Sequence, residues 1–246
     1  MKKYLPFILL GVGIIVLVVV FLVIKKNKTS GPVQQEDTAV TLSLNERPVA
    51  SLTPSADGHW LKLSLTKILS SAASMDYELL YQLPDGRTQG VPGTIKLTGQ
   101  DKIERDLLMG SESSGKFRYD EGVKEGTLTI RFRNDAGKLI TKLSTKFALL
   151  SKTKELKSID EKFSYKLASI NSKDFFVVME TFGLPSSEGV LTNITAGPFG
   201  VFTSSKTAIS GTVTLEGTNI YNYSGFDWTK LDSGKSSNTG IFVGTD

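Results

Sequence analysis

The chain has 246 residues, with 29 basic and 25 acidic side chains, one histidine and no cysteine. The lack of cysteine excludes a disulfide framework, a thiolate nucleophile and a cysteine-ligated zinc site. Five lysines and no acidic residue lie in residues 1–28, so residues 29–246 carry 24 basic and 25 acidic side chains, a net charge of −1. A neutral body offers nucleic acid no electrostatic attraction, and we exclude nucleic acid as a partner.

The first predicted element is an apolar segment of twenty uncharged residues, Leu5–Ile24. At about 1.5 Å of rise per residue a helix of this length spans the roughly 30 Å core of a bilayer. A cleaved secretory signal would have a shorter apolar region followed by small residues, whereas here Lys25 and Lys26 follow directly. The segment therefore predicts an uncleaved signal anchor, residues 1–28 with its basic flanks, and makes the lipid bilayer a partner through residues 5–24.

Lysines flank the apolar segment on both sides, so the charge rule for membrane orientation is close to a tie. Only four residues precede the segment, and the rest of the chain has the Thr, Ser, Gly and β-branched content of exported domains. We therefore expect a single-pass protein of the cell membrane with a cytoplasmic N-terminus and an extracytoplasmic body.

A polar stalk, residues 29–38, precedes a first β-rich domain predicted for residues 39–150. Alternation of apolar and polar residues, with turn residues between the runs, predicts about seven short strands. The turns include Asp57-Gly58 and Pro84-Asp85-Gly86. The predicted strands include Thr41–Leu44, Trp60–Leu65, Tyr77–Leu83, Gly93–Leu97, Thr127–Arg133 and Leu139–Leu149.

Two stretches, Tyr77–Gly86 (YELLYQLPDG) and Gly126–Gly137 (GTLTIRFRNDAG), resemble the central and penultimate strands of immunoglobulin-like and fibronectin type III domains. The resemblance is architectural and covers residues 39–150. It departs from antibody domains in lacking the paired cysteines, and Trp60 lies on an early strand. It implies a β-sandwich that serves as a spacer or binding module, and it implies no catalytic residue.

A second β-rich domain is predicted for residues 151–246, which makes the fold class all-β with two sandwich-like domains after the helix. Residues 151–162 are charged and predict a linker or a short surface helix. Phe175–Met179 is a continuous apolar run that suits a central strand or a buried helix. The remaining predicted strands are Phe163–Ala168, Asp174–Phe182, Gly189–Ala196, Phe199–Thr203, Thr212–Glu216, Ile220–Tyr223, Trp228–Leu231 and Ile241–Val243.

The candidate binding residues are three aromatic side chains, Tyr221, Tyr223 and Trp228, in a predicted hairpin whose turn includes Ser224–Asp227. Alternation places both tyrosines on one face of the strand. With Trp228 across from them, the rings would form a platform for a sugar or for an apolar side chain of a protein partner. The alternative is that the rings cover the edge of the core.

No motif predicts catalysis, a cofactor or a metal. Ser-x-x-Lys, a spacing found in some hydrolases, occurs three times (Ser64 and Lys67, Ser113 and Lys116, Ser151 and Lys154), about as often as chance predicts, and without the companion motifs. His59 is the only histidine, and no Gly-x-Ser-x-Gly elbow accompanies it.

The leading hypothesis is a membrane-anchored extracytoplasmic protein that displays β-sandwich domains for adhesion, scaffolding or binding of a protein or glycan ligand, without catalysis. One alternative is a non-catalytic subunit of a secretion or pilus assembly of the cell envelope. The other is an extracytoplasmic hydrolase that uses carboxylates or a Ser-Lys pair.

Overall fold

The computed structural model describes residues 40–185 and 191–246. In these two ranges every regular element is a β-strand, so the all-β class is confirmed. The same residues contain no helix that is long and apolar enough to cross a membrane. The predicted anchor, Leu5–Ile24, and the stalk, residues 29–38, lie outside the described residues.

Eighteen strands form four sheets within the described residues. Their bounds are β1 (Val49–Pro54), β2 (Trp60–Thr66), β3 (Ser74–Gln82), β4 (Thr88–Lys96), β5 (Lys102–Leu108), β6 (Gly110–Ser113), β7 (Lys116–Tyr119), β8 (Glu125–Arg133), β9 (Leu139–Ser151), β10 (Glu155–Lys157), β11 (Phe163–Leu167), β12 (Phe175–Glu180), β13 (Ile194–Thr203), β14 (Gly211–Leu215), β15 (Asn219–Tyr223), β16 (Trp228–Lys230), β17 (Lys235–Ser236) and β18 (Ile241–Thr245).

The central sheet is antiparallel and has the order β16-β15-β18-β13-β12-β9-β8-β3-β4. Two smaller sheets pack on it, and each is named here by one of its strands. The β2 sheet has the order β1-β2-β5, and the β11 sheet has the order β10-β11-β14-β17. Strands β6 and β7 form a separate hairpin.

Strand β12 shows why the two smaller sheets lie on opposite faces of the central sheet. Val177 and Met179 belong to the first hydrophobic core, with leucines of the β2 sheet. Phe176 and Val178 belong to the second core, with aromatic and aliphatic side chains of the β11 sheet. Because successive side chains of a strand point to opposite faces, β12 is buried on both sides. This explains the continuous apolar run, and the central-strand prediction is confirmed.

The predicted domain division at residue 151 stays a prediction. The two cores largely follow it, since the first consists mainly of residues 50–149 and the second of residues 156–242. The central sheet crosses it, because β9 pairs with β12 from Phe147↔Met179 to Ser151↔Phe175. The described residues, 40–185 and 191–246, belong to one compact unit.

Several strands were predicted at the wrong positions or were not predicted. Thr41–Leu44 alternates but forms no strand, because the segment leads into a turn in which Ser43 hydrogen bonds to Glu46. The segment 151–162, predicted as a linker or helix, contains β10. Strands β1, β5, β6, β7 and β17 were missed. In β5 only Ile103 and Leu107 are buried, and the charged residues between them hide the pattern.

Strands β3 and β8 expose a polar face on the side opposite to the first core. Arg133 donates to Asp76 Oδ2 at 2.8 Å, and Thr94 donates to Asp76 Oδ1 at 2.8 Å. Burial raises the pKa of Asp76, but these hydrogen bonds and the charge of Arg133 outweigh it and hold the pKa below its ordinary value. The carboxylate form of Asp76 therefore stabilises the folded state.

Replacement of Asp76 by Asn should cost about 1 kcal/mol of unfolding free energy at pH 7. Because the folded-state pKa is lowered, the advantage of the wild type is complete above about pH 4 and is lost as the pH falls through the folded-state value. Urea unfolding of the wild type and of Asp76→Asn at pH 7 and pH 2.5 measures this difference in unfolding free energy. The exposed Asp101→Asn should change little at either pH. If Asp76→Asn lowered the unfolding free energy equally at both pH values, the lowered pKa of Asp76 would be contradicted.

The central sheet has two ends that matter for the site. Val40 donates its backbone N–H to Ile140 O, at 2.9 Å, so the described chain begins beside the start of β9. We call this the near end. The far end is where β9 finishes and β12 begins, at the pair Ser151↔Phe175.

Candidate functional site

The candidate site is a cavity of about 550 Å³ at the far end of the central sheet. Three segments converge there: the β1–β2 turn at residues 55–59, the β7–β8 loop at residues 120–124, and residues 149–153 at the end of β9. Its volume lies within the range of small-molecule sites in proteins. The lining of the cavity includes Asp57, His59, Asp120, Glu121, Lys124, Lys152 and Phe175.

The β1–β2 turn is built by its own polar side chains. Ser55 Oγ donates to Asp57 Oδ1 at 2.5 Å, and Asp57 Oδ1 also accepts the backbone N–H of His59 at 3.1 Å. Gly58 adopts φ +74°, and a Cβ there would lie 2.5 Å from a ring carbon of Phe175. Glycine lets the turn lie flat on that ring. The turn predicted from Asp57-Gly58 is confirmed, and it sets the position of His59.

His59 lies between two carboxylates. Its Nδ1 is 3.4 Å from Asp57 Oδ2, and its Nε2 is 3.1 Å from Glu121 Oε1, with 21% of the side chain exposed. The contact of Nε2 with Glu121 is a hydrogen bond, whereas the buried Nδ1 has no hydrogen-bond partner among the described residues. The hydrogen bond from Ser55 is the main cause that lowers the pKa of Asp57, and the charge of His59 adds to it. Because Nε2 faces Glu121, the ring is not arranged as the base of a Ser-His pair.

An aromatic column stands beside His59; it consists of His59, Tyr119, Phe117 and Trp60. The Tyr119 ring stacks on His59, with centroids 4.2 Å apart and planes 6° apart. The Phe117 ring is parallel to Tyr119 at 6.1 Å, and Trp60 meets Phe117 edge-on at 5.7 Å. Phe117 is 45% exposed and Tyr119 is 37% exposed. The β6–β7 hairpin thus places partly exposed aromatic rings next to the cavity, and His59 is the member of the column that lines it.

The β7–β8 loop is tied to the first core through Asp120. Buried Tyr81 donates its hydroxyl to Asp120 Oδ2 at 2.8 Å. Burial, followed by this hydrogen bond, raises the pKa of Tyr81 well above its ordinary value, so the hydroxyl stays a donor. Leu149 donates its backbone N–H to Lys124 O at 2.7 Å, which joins the other end of the loop to β9. The loop that presents Glu121 is therefore fixed at both ends.

The three candidate residues named from sequence lie where alternation predicts. Strand β15 pairs with β16 so that Tyr223 is opposite Trp228, and their ring centroids are 5.4 Å apart. Tyr221 lies on the same face of β15 as Tyr223. All three are half-buried, whereas Phe226 at the tip of the turn is 86% exposed. The hairpin is confirmed, and a ligand-binding role for its aromatic residues stays a prediction.

Two of the three Ser-x-x-Lys pairs have contacts that the structure defines. Lys67 Nζ donates to the backbone oxygens of Asn45, at 2.7 Å, and Leu184, at 2.9 Å. Ser113 and Lys116 face each other across the exposed β6–β7 turn. The described residues also contain no group of three or more His, Cys, Asp or Glu side chains that could hold a metal ion.

Sequence reasoning missed Phe117, Tyr119 and Glu121 as site residues. The segment 110–119 reads GSESSGKFRY and has no apolar alternation in its first half. The available signal was Ser114-Gly115, a turn pair, followed by Phe and Tyr two residues apart.

Comparison of the chain with protein-family models, curated proteins and solved structures finds no match.

Proposed function

We propose that this chain is a single-pass, membrane-anchored extracytoplasmic protein that displays β-sandwich domains and binds a ligand at the far-end cavity, without catalysis. The anchor is the apolar segment Leu5–Ile24, with the N-terminus in the cytoplasm. The sandwich is of the fibronectin type III kind for residues 39–150.

The strand order of residues 39–150 supports the fibronectin-like assignment. Strands β1, β2 and β5 form one layer, and β4, β3, β8 and β9 lie side by side in the other. The first hydrophobic core fills the space between these layers. The two stretches that carry the resemblance become neighbours, since β3 pairs with β8 from Ser74↔Arg133 to Tyr81↔Gly126. The β6–β7 hairpin is then an addition in the connection between β5 and β8.

The observation that carries the binding proposal is the position of the cavity. It lies at the far end of the central sheet, whereas the described chain begins at the near end, where Val40 bonds to Ile140. Loops at one end of a rigid sandwich are a common location for binding residues. A ligand can reach His59, Glu121 and the exposed ring of Phe117 without approaching the point where the chain joins the body.

Protease protection tests the location. We expect protease added to right-side-out membrane vesicles to remove an epitope placed after Asp246, because the body is proposed to be extracytoplasmic. In inside-out vesicles from the same cells the epitope should survive until detergent is added. A cytoplasmic marker enzyme gives the opposite pattern and controls for vesicle sidedness. Protection in right-side-out vesicles with loss in inside-out vesicles would reverse the proposed orientation.

A further inference from the structure

We propose that the far-end cavity and the adjoining aromatic column bind a neutral saccharide, with one sugar stacked on an exposed ring of the column and the hydroxyls of another bonded to the polar walls of the cavity. This inference rests on the proposed function, in which the cavity is the binding site, and names the chemical class of its ligand.

The charges of the cavity favour a neutral ligand. The carboxylates Asp57, Asp120 and Glu121 are opposed by Lys124 and Lys152. Asp57 and Glu121 also flank the two nitrogens of His59. The charges nearly cancel, so the site has no strong field to select a phosphate, a nucleotide or a polybasic peptide.

The polar groups of the walls suit a polyhydroxylated ligand. A carboxylate has two oxygens, and the internal contacts use Oδ2 of Asp120 and Oε1 of Glu121. The second oxygens of these two adjacent residues are acceptors for hydroxyls of a ligand, and Lys124 and Lys152 are donors on the same cavity. A sugar hydroxyl both donates and accepts, so one ring can use both kinds of group.

The aromatic column supplies the apolar contact that a sugar needs. One face of a pyranose ring presents C–H groups, which pack on the face of an aromatic ring. Phe117 and Tyr119 are parallel to each other and partly exposed beside His59, which lines the cavity. The column is held by its own stacking and by the edge of Trp60, so little side-chain entropy is lost when a ligand binds.

Fluorescence titration of the full chain tests the proposal. The protein is placed in phospholipid nanodiscs, because maltoside detergents carry sugar groups, and is titrated with maltotetraose, cellotetraose, chitotetraose and mannotetraose. Trp60 lies in the column and should report binding. We expect saturable binding of at least one tetrasaccharide. Phe117→Ala should weaken it by roughly 3- to 10-fold through the loss of ring stacking, and Glu121→Gln by about 10-fold through the loss of a charged acceptor.

Phe226→Ala is the control, since it removes an exposed phenylalanine that belongs neither to the cavity nor to the aromatic column and should leave affinity unchanged. A second readout needs no variant: the indole N–H resonance of Trp60 should shift on binding in the wild type. Three outcomes overturn the proposal. They are no saturable binding of any of the four sugars up to about 20 mM, binding unaffected by both Phe117→Ala and Glu121→Gln, and binding lost in Trp228→Ala but kept in Phe117→Ala. None of them changes the protease result, so failure of the ligand class is distinguishable from failure of the proposed location.

Discussion

Replacement of Phe242 by alanine is expected to lower the free energy of unfolding by about 3 to 5 kcal/mol, the range for large-to-small changes at buried aromatic residues. Phe242 on β18 is fully buried in the second core. Its ring centroid is 5.6 Å from those of Phe163 and Tyr165 on β11, so it joins the central sheet to the β11 sheet. Its removal leaves a cavity between the two layers that neither rigid sheet can close.

The measurement is urea unfolding of the full chain in nanodiscs, followed by tryptophan fluorescence. Phe226→Ala makes the same chemical change at a site that is 86% exposed and should shift the unfolding free energy by less than about 0.5 kcal/mol. Equal effects of the two substitutions would show that β18 does not pack against the β11 sheet as described.

The second large effect concerns the predicted anchor. Changing Ile14, Val16 and Val18 together to Asp should move the protein from the membrane pellet to the supernatant in alkaline carbonate extraction. Seventeen apolar residues favour insertion by roughly 5 to 10 kcal/mol, whereas three aspartates near the centre oppose it by roughly 7 to 10 kcal/mol and also remove three apolar contributions. The net free energy of insertion therefore changes from favourable to unfavourable.

The matched control changes the same three positions to Leu, which keeps the segment apolar and should keep the protein in the pellet. Two results would contradict the anchor. One is a wild-type protein that carbonate already extracts, and the other is a triple-Asp variant that stays in the pellet. Neither result depends on the ligand or on the orientation of the body.

Local pattern was sufficient where burial and periodicity agree. The run Phe175–Met179 suited a central strand or a buried helix, and it forms the strand β12, which is buried on both faces because a sheet packs on each side of it. The aromatic hairpin was also predicted, with its turn at Ser224–Asp227, and in the structure Tyr223 is opposite Trp228. In both places the side chains that define the strand are large and apolar, so the hydrophobic pattern and the tertiary contacts select the same conformation.

Pattern was misleading where tertiary contacts replace hydrophobic alternation. Thr41–Leu44 alternates as a strand should, but its neighbour in space is the start of β9 and the segment ends in a turn. The β6–β7 hairpin has almost no apolar pattern, and its position depends on aromatic stacking against His59, which lies some sixty residues away in sequence. Such contacts join residues whose separation along the chain carries no periodic signal.

The sequence by itself determined the β-rich character of the body, the prediction of a membrane anchor, and the neutrality of the body once the basic flanks of the anchor are set aside. These properties depend on composition and on short-range periodicity, which are sums over neighbouring residues. Only the tertiary structure decided that His59 lies between Asp57 and Glu121, that the rings of β7 stand beside it, and that the cavity lies at the far end of the sheet. Those facts depend on which strands pair and in which register, and pairing brings together residues that no local pattern relates.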